Sequence, residues 1–181
     1  MDVQDGYLSG YWQSEQYFRD IAGHIRNSIR FQGIDSDQIR QYKEKFEACN
    51  SVSVHVRLGD YEEHTGLYGG ICTREYYQKA IRSISERVDN PCFFVFSDSV
   101  KEAEKLLQGY QYECVTINRG PDSYKDMYLM SRCKSHIIAN STFSWWGAWL
   151  DEKPDKTVIT PARWNNLCDG SEICCEGWIR A

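Results

Sequence analysis

The sequence has no long apolar run. In its 181 residues the most apolar stretches, such as Cys92 to Phe96, are only strand-length. A membrane-spanning helix needs ~20 such residues. The opening Met1-Asp2-Val3-Gln4-Asp5 lacks the basic and then apolar regions of a secretory signal. A cytoplasmic location is therefore expected, with a peripheral place at the inner face of a membrane as its variant. Positive charge is also short. Lys and Arg number 21 against 26 Asp and Glu, a formal charge of −5. That argues against a nucleic-acid binder, which shows a basic face. It leaves room for one anion pocket built by a few local arginines. Prolines number 4, and no repeat, low-complexity tract or Pro/Gly/Ser linker divides the chain. Hydrophobic residues at 41% and charged residues at 26% exclude wholesale disorder. The length suits about one domain, which buries roughly 70% of its unfolded surface.

Eight cysteines are present, but none are spaced C-x-x-C and no histidine lies near the last three. Zinc is a poor fit to that pattern. Without a secretory signal, disulfides are not expected either. Cys92, Cys114 and Cys133 sit in or beside apolar runs and read as small buried hydrophobes. Cys174-Cys175 takes no evident place.

What is there alternates between two periods. Tyr17, Phe18, Ile21, Ile25 and Ile29 recur at helical spacing after Ser14 as N-cap, and a second helix is predicted over Asp37–Cys49. Ser51 to Arg57 alternates with period two, as a strand does. A Gly-rich loop with Gly59, Gly66, Gly69 and Gly70 follows, then a helix capped by Thr73 and running to about Val88. Cys92–Phe96 is apolar on both faces, which suits a central parallel strand. A helix over Lys101–Leu107 and strands at Tyr112–Ile117, His136–Ala139 and Lys156–Thr160 continue the pattern. Further helices are predicted from Ser123 to Arg132 and from Ser144 to Leu150. Strands alternating with helices mean an α/β fold, a Rossmann-like parallel sheet flanked by helices. Residues 51–181 form that unit and residues 1–50 form a helical segment leading into it.

In such sheets ligands bind beyond the carboxyl ends of the strands. Arg57 and Asp60 follow the first strand, Ser97-Asp98 the second, Asn118-Arg119-Gly120 the third, and Asn140-Ser141-Thr142 the fourth. His55 and Arg57, two apart on a strand, face the same side. Arg57 is placed to fork onto a diphosphate. Asp60 could orient it or act as a base, although an Arg57–Asp60 ion pair closing a loop explains the string equally well. Asn140 to Leu150 reads as strand end, turn and helix start. Free N–H groups at a helix start attract anions, and the hydroxyls of Ser141, Thr142 and Ser144 add donors. Plain N-capping by Ser141 or Thr142 is the structural alternative, and Trp145 and Trp149, at i and i+4, read as core. Asp126 could accept hydrogen bonds from a guanine edge, or occupy the fourth place of a capping box opened by Ser123. Asp98 lies at the rim, or caps the next helix. Asp35-Ser36-Asp37 has the look of a metal-binding D-x-D, but it follows Gln32-Gly33 and runs into helix, so an N-cap is expected there and no metal. His24 and His64 are expected to be solvated, and His136 to be a satisfied buried histidine.

These strings together resemble the bacterial alpha-1,2-fucosyltransferases of glycosyltransferase family 11. Gly10 to Phe18, His55 to Tyr61, Phe94 to Asp98, Asp126 to Leu150, Pro161 to Trp164 and Gly177 to Ile179 carry the resemblance, which covers nearly the whole chain. It implies an inverting, metal-independent transferase of the GT-B type with no cofactor. The donor would be GDP-fucose, and L-fucose would pass to the 2-hydroxyl of a terminal galactose on an oligosaccharide, lipopolysaccharide or capsule acceptor. It implies that Arg57 clamps the β-phosphate and that His55 and Asp126 contact the nucleoside or guanine. Ser141, Thr142 and Phe143 would contact phosphate, and the acceptor's proton would go to Asp60, Glu62 or Glu63. Asp98, Asn140 and Ser144 complete the expected donor-binding set. Two departures stand out. Leu58 replaces a second arginine, and the family's Gly-Gly-Leu-Gly-Asn-Gln-like opening is missing. The implied unit is thus the donor-binding half of the enzyme. A non-catalytic GDP-sugar-binding module and a transferase using another sugar, such as GDP-mannose, are the rival readings.

Overall fold

The alternation at Ser51–Val56 does form a strand, and it becomes the centre of the sheet. The computed structural model describes residue 9 and residues 13–58, 64–167 and 169–181. Two short 3-10 turns, Glu15–Tyr17 and Arg19–Ile21, lead into α1 (Ala22–Ser28), followed by α2 (Asp37–Ala48) and β1 (Asn50–Val56). Then come α3 (Thr65–Tyr68), α4 (Arg74–Ser85), β2 (Pro91–Ser97), α5 (Val100–Leu106) and β3 (Glu113–Cys114). A 3-10 turn at Gly120–Asp122 precedes α6 (Tyr124–Arg132), β4 (Ser135–Ile137), α7 (Thr142–Trp149), β5 (Val158–Thr160) and β6 (Ile179–Arg180). The strands lie in the order β3-β2-β1-β4-β5-β6, and every pairing is parallel. This is the doubly wound nucleotide-binding order, which reverses between β1 and β4 and opens a crevice at their carboxyl ends.

Period two sorts the side chains of β1 and β2. Val52, Val54, Val56 and Val95 pack with Tyr76, Tyr77, Ile81 and Ile84 of α4 and Ala103 of α5. On the other face Phe94 and Phe96 meet Ile39 and Phe46 of α2 and Tyr128, Leu129 and Met130 of α6. Both faces of β2 are covered by apolar side chains, as its sequence requires. A third cluster joins Trp145, Ala148 and Trp149 of α7 to Ile138, Val158 and Trp164, with Phe18, Ala22 and Ile25 packed against it. Trp145 and Trp149 stack at 6.1 Å, and Phe18 lies 5.3 Å edge-on from Trp149. The tryptophans are core, as their spacing indicates.

The face of β1 toward α2 and α6 carries Ser51, Ser53 and His55, all buried. Buried polar groups must be paired, and a relay does this for Ser53. The Ser53 hydroxyl meets Nδ1 of His136 at 2.8 Å, and Nε2 of His136 lies 3.0 Å from Asp151. Lys153 closes the relay with Nζ 2.8 Å from the Asp151 carboxylate. Burial holds the His136 pKa below its ordinary value. Neutral His136 then donates from Nε2 to Asp151 and accepts at Nδ1 from Ser53. It is the satisfied buried histidine expected of it.

Several boundaries differ from the sequence reading. The helix expected from Tyr17 to Ile29 starts only at Ala22, because Phe18 adopts φ −142° between the two 3-10 turns. Tyr17 and Ile21 consequently stand exposed. β3 and β5 are shorter than expected, while α3 and β6 were not foreseen. Ser36 caps α2 by accepting from the Ile39 N–H, which fits the N-cap reading of the D-x-D string. Cys133 is fully buried, Cys92 and Cys114 are partly buried, and Cys175 joins the tryptophan cluster. His24 and His64 are exposed.

Candidate functional site

The parallel register alone brings β1 and β2 to a common rim. Val56 stands opposite Ser97, so Arg57 and Asp98 leave the sheet side by side. Arg57 Nη1 lies 3.0 Å from Asp98 Oδ2, and the other Asp98 oxygen accepts the Leu58 N–H at 3.2 Å. Asp98 thereby holds both the arginine head and the backbone beside it. The alternative reading of Asp98 as a helix cap does not hold: the N-cap position of α5 is Ser99, and the Asp98 carboxylate is engaged across the strands. Asp60, Glu62 and Glu63 lie outside the described residues, as does the expected Arg57–Asp60 pair.

Arg57 and Asp98 border a cavity of ~720 Å³ over the carboxyl ends of β1, β2 and β3. His55, Asp126, Ser141, Thr142 and Phe143 also line it, so seven expected site residues converge there. Ser97, Thr116, Asn118, Arg119 and Ser123 complete the polar lining. The rim positions of Ser97 and Asn118-Arg119 were visible in the sequence, Ser123 was read only as a helix cap, and Thr116 carried no distinguishing signal.

Asp126 is not a capping residue. The turn at Gly120–Asp122 delivers Ser123 already helical, at φ −57° and ψ −26°, and its side chain makes no cap bond. An N-cap needs extended backbone, so the capping box cannot close. The Asp126 carboxylate instead accepts from Asn118 Nδ2 at 2.7 Å. Burial raises its pKa to about 6, against the Asn118 bond that pulls it down. His55 is buried at the back of the cavity, 5.7 Å from the Phe143 ring. Burial, with help from the Arg57 charge, lowers its pKa to about 3, so it is neutral near pH 7. Its Nδ1 has no hydrogen-bond partner among the described residues.

The start of α7 closes the cavity. Ser141 occupies the N-cap position in extended conformation, and its side chain makes no cap bond. The first helical bond runs from the Trp145 N–H to the Ser141 carbonyl, and the N–H groups of Thr142, Phe143 and Ser144 have no protein acceptor among the described residues. Helix N–H groups left open beside an arginine favour an anion.

Two expected donor contacts are placed elsewhere. Ser144 is buried, and its hydroxyl accepts from the Ala139 N–H at 3.2 Å and donates to the Ser141 carbonyl at 3.2 Å, stapling the turn. Asn140 Nδ2 donates to the Trp164 carbonyl at 3.1 Å, and its oxygen accepts from the Cys72 thiol at 3.2 Å. Neither side chain lines the cavity. Both hold the shape of the strand-to-helix turn whose backbone does. Among the described residues no group of three or more His, Cys, Asp or Glu side chains is arranged to hold a metal ion. No helix among them is long and apolar enough to cross a membrane.

The chain is similar to known proteins along most of its length. The family described as Glycosyl transferase family 11 matches residues 3–179. An alpha-1,2-colitosyltransferase of Escherichia coli is 37% identical over 177 residues, covering 94% of this chain and 61% of that protein. The O-antigen biosynthesis glycosyltransferase WbnK of Escherichia coli is 41% identical over 137 residues, covering 74% of this chain and 45% of its own length. Galactoside alpha-(1,2)-fucosyltransferase 2 of Pongo pygmaeus is 26% identical, covering 79% of this chain and 44% of its own length. Among solved structures, the alpha-1,6-fucosyltransferase NodZ soaked with GDP-fucose aligns with a TM-score of 0.48 and 22% identity over 66% of this chain and 42% of that one. The chain spans about half the length of the curated relatives it matches. A match running almost from end to end, and two bacterial relatives above 30% identity, place this chain in glycosyltransferase family 11.

Proposed function

We propose that this chain is the donor-binding part of an inverting alpha-1,2-fucosyltransferase. It would bind GDP-fucose in the cavity over β1–β3 and serve transfer of L-fucose to the 2-hydroxyl of a galactoside. The observation that carries this reading is the pairing of Arg57, fixed by Asp98, with the open N–H groups of α7 on one cavity wall. In the reaction the bond between fucose C1 and the β-phosphate oxygen breaks, and the acceptor oxygen bonds to C1 from the opposite face. The electron pair of the broken bond leaves with GDP, so negative charge grows on the β-phosphate. A preorganised guanidinium and helix N–H groups stabilise charge where it develops. Asp126, with Asn118 beside it, would accept from the guanine N–H edge at the other end of the cavity. A carboxylate must still take the acceptor's proton, and Asp60 and Glu63 are the candidates for it. The reading invokes no metal.

The colitosyltransferase relative supports a second donor. Colitose is L-fucose without its 3-hydroxyl, so the phosphate and guanine contacts would serve both sugars. Calorimetric titration with GDP-fucose, GDP-colitose, GDP-mannose and UDP-galactose tests the reading. GDP-fucose or GDP-colitose should bind with strong preference over the other two. Equal binding of UDP-galactose would overturn the guanine assignment. Transfer of labelled fucose to lactose separates the transferase from a non-catalytic GDP-sugar-binding module.

A further inference from the structure

A second cavity of ~670 Å³ lies beside the first, and its lining is different in kind. Tyr17 and Tyr68 supply aromatic surface over the buried Trp164, while Gln13, Asp169 and Glu172 supply acceptors and donors. The cavities are not independent. Thr142, at the start of α7, borders both. A small hollow of ~140 Å³ borders both, sharing Arg57 with the first and Tyr68 and Asn140 with the second. Arg57 and Thr142 thus stand where the anion wall of the first cavity and the aromatic groove come next to each other.

The surface of the groove is unusual for this molecule. Among the described residues the exposed large hydrophobic side chains are Tyr17 at 59%, Ile21 at 51% and Leu167 at 86%. Two of these three, Tyr17 and Leu167, sit on the wall of this groove. Tyr17 is held there by the broken first helix. A continuous helix would alter the geometry that the Phe18 backbone imposes between the 3-10 turns. Ser14 pins the opposite wall by donating to the Glu172 carbonyl at 2.6 Å. The Glu172 carboxylate is exposed and has no partner among the described residues. Asp169 is oriented by the Ser171 hydroxyl at 2.8 Å.

Aromatic faces beside fixed hydrogen-bonding groups suit one chemistry well. A pyranose has a C–H face that packs on a ring and a rim of hydroxyls that donate to carboxylates and amides. The first cavity has the volume for a nucleotide and its sugar, within the usual ~300–1,000 Å³ of ligand sites. A second of nearly equal size has room for a second ligand. We infer that this groove holds the terminal galactoside of the acceptor, bringing its hydroxyl to the Arg57–Thr142 junction. This inference rests on the donor reading above for its direction, and it places acceptor recognition on the same half as the donor.

The test uses saturation-transfer NMR on this chain with lactose as the probe, with and without GDP, alongside calorimetry with GDP. Tyr17→Ala and Glu172→Ala alter exposed side chains, and their melting temperatures check folding. Lactose should show saturation transfer that persists when GDP is saturating. Each variant should weaken lactose about tenfold, equivalent to ~1.4 kcal/mol, while the GDP affinity stays within about twofold. Absent lactose transfer, lactose signals unchanged in both variants, or lactose displaced by GDP would each overturn the inference. GDP-fucose whose fucose-ring signals fall in these variants in place of lactose would assign the groove to the donor sugar and also overturn it. The two readings fail separately. Loss of GDP binding with variant-sensitive lactose binding would remove the donor assignment and leave the groove standing.

Discussion

Arg57→Ala should abolish most GDP affinity while sparing the fold. The guanidinium lies at the junction of two cavities, with its carboxylate partner 3.0 Å away and its side chain 35% exposed. A hydrogen bond to a charged group is worth ~1.5–3 kcal/mol. An arginine forking onto a diphosphate makes two, so the ceiling is ~3–6 kcal/mol. Partial exposure screens the pair, which favours the lower end. At ~1.4 kcal/mol per decade, the expected weakening is about a hundredfold. Stability should change far less. An ion pair this exposed contributes ~0–1 kcal/mol, or at most roughly 2–4 °C in melting temperature for a chain of this size. Titration calorimetry with GDP and with guanosine separates phosphate from base. GDP should weaken about a hundredfold, and guanosine should keep its affinity within about twofold. Equal weakening of both, or a drop of more than roughly 10 °C in the apoprotein, would make Arg57 a structural residue and refute the reasoning.

Asp126 predicts a pH dependence for guanosine, which has no phosphate to titrate. Its pKa is raised to about 6, so the carboxylate loses its charge as pH falls through that value. Guanosine affinity should then drop about tenfold per pH unit, and Asp126→Asn should bind weakly with a flat profile over the same range. Acid should also unfold the chain early. His55, with its pKa near 3, stays neutral when folded but binds a proton when unfolded once pH falls below ~6.5. Its contribution to stability is therefore full above that pH and falls below it by up to ~1.4 kcal/mol per unit; His136, also lowered, acts in the same direction, and Asp126, raised, in the opposite one. Urea titrations from pH 7 to pH 5 should show a shallower slope for His55→Asn, and parallel slopes would contradict the assignment. Gly147→Ala would put a methyl 3.1 Å from Met130 Cβ, where α6 and α7 pack closely. Overpacking of ~1–3 kcal/mol against the ~1 kcal/mol gain in helix propensity leaves a net loss of up to ~2 kcal/mol. The melting temperature should fall by up to roughly 8 °C, and a rise would show that Met130 yields.

Much of this architecture is legible from local patterns. The valines of β1, the two-sided apolar run of β2 and the Thr73 cap of α4 each depend on residues close in sequence, and each appears where the periodicity puts it. What local patterns cannot carry is partnership across the sheet. β6 has two residues and exists because Ile159 and Thr160 pair with Ile179 and Arg180. The first helix has the right apolar spacing, yet Phe18 leaves that spacing to pack among Trp145, Trp146 and Trp149 of α7. The same distinction holds in the site. Arg57 is readable at the rim from residue type and position, whereas Asp126 fits a capping box as well as a ligand contact until the helical backbone of Ser123 removes the cap. The Arg57–Asp98 pair is not readable, since it follows from the β1–β2 register over 41 residues of separation. Asn140 and Ser144 carry side chains suited to a ligand, but Trp164, Cys72 and the turn backbone engage them first. Leu58 offers no guanidinium at the second position of the family string, though its N–H still anchors Asp98.

The central claim is that the crevice over β1–β3 takes a guanine nucleotide sugar, and a thermal-shift panel tests it most directly. Ligands would be GDP, GDP-fucose, GDP-mannose and UDP-galactose. A ligand at ~100 times its dissociation constant adds about 2.7 kcal/mol, or roughly 5–11 °C for a domain of this size. The account predicts shifts of that order with GDP and GDP-fucose and none with UDP-galactose. A cooperative melt that no guanine nucleotide moves, or one that UDP-galactose moves equally, would contradict it.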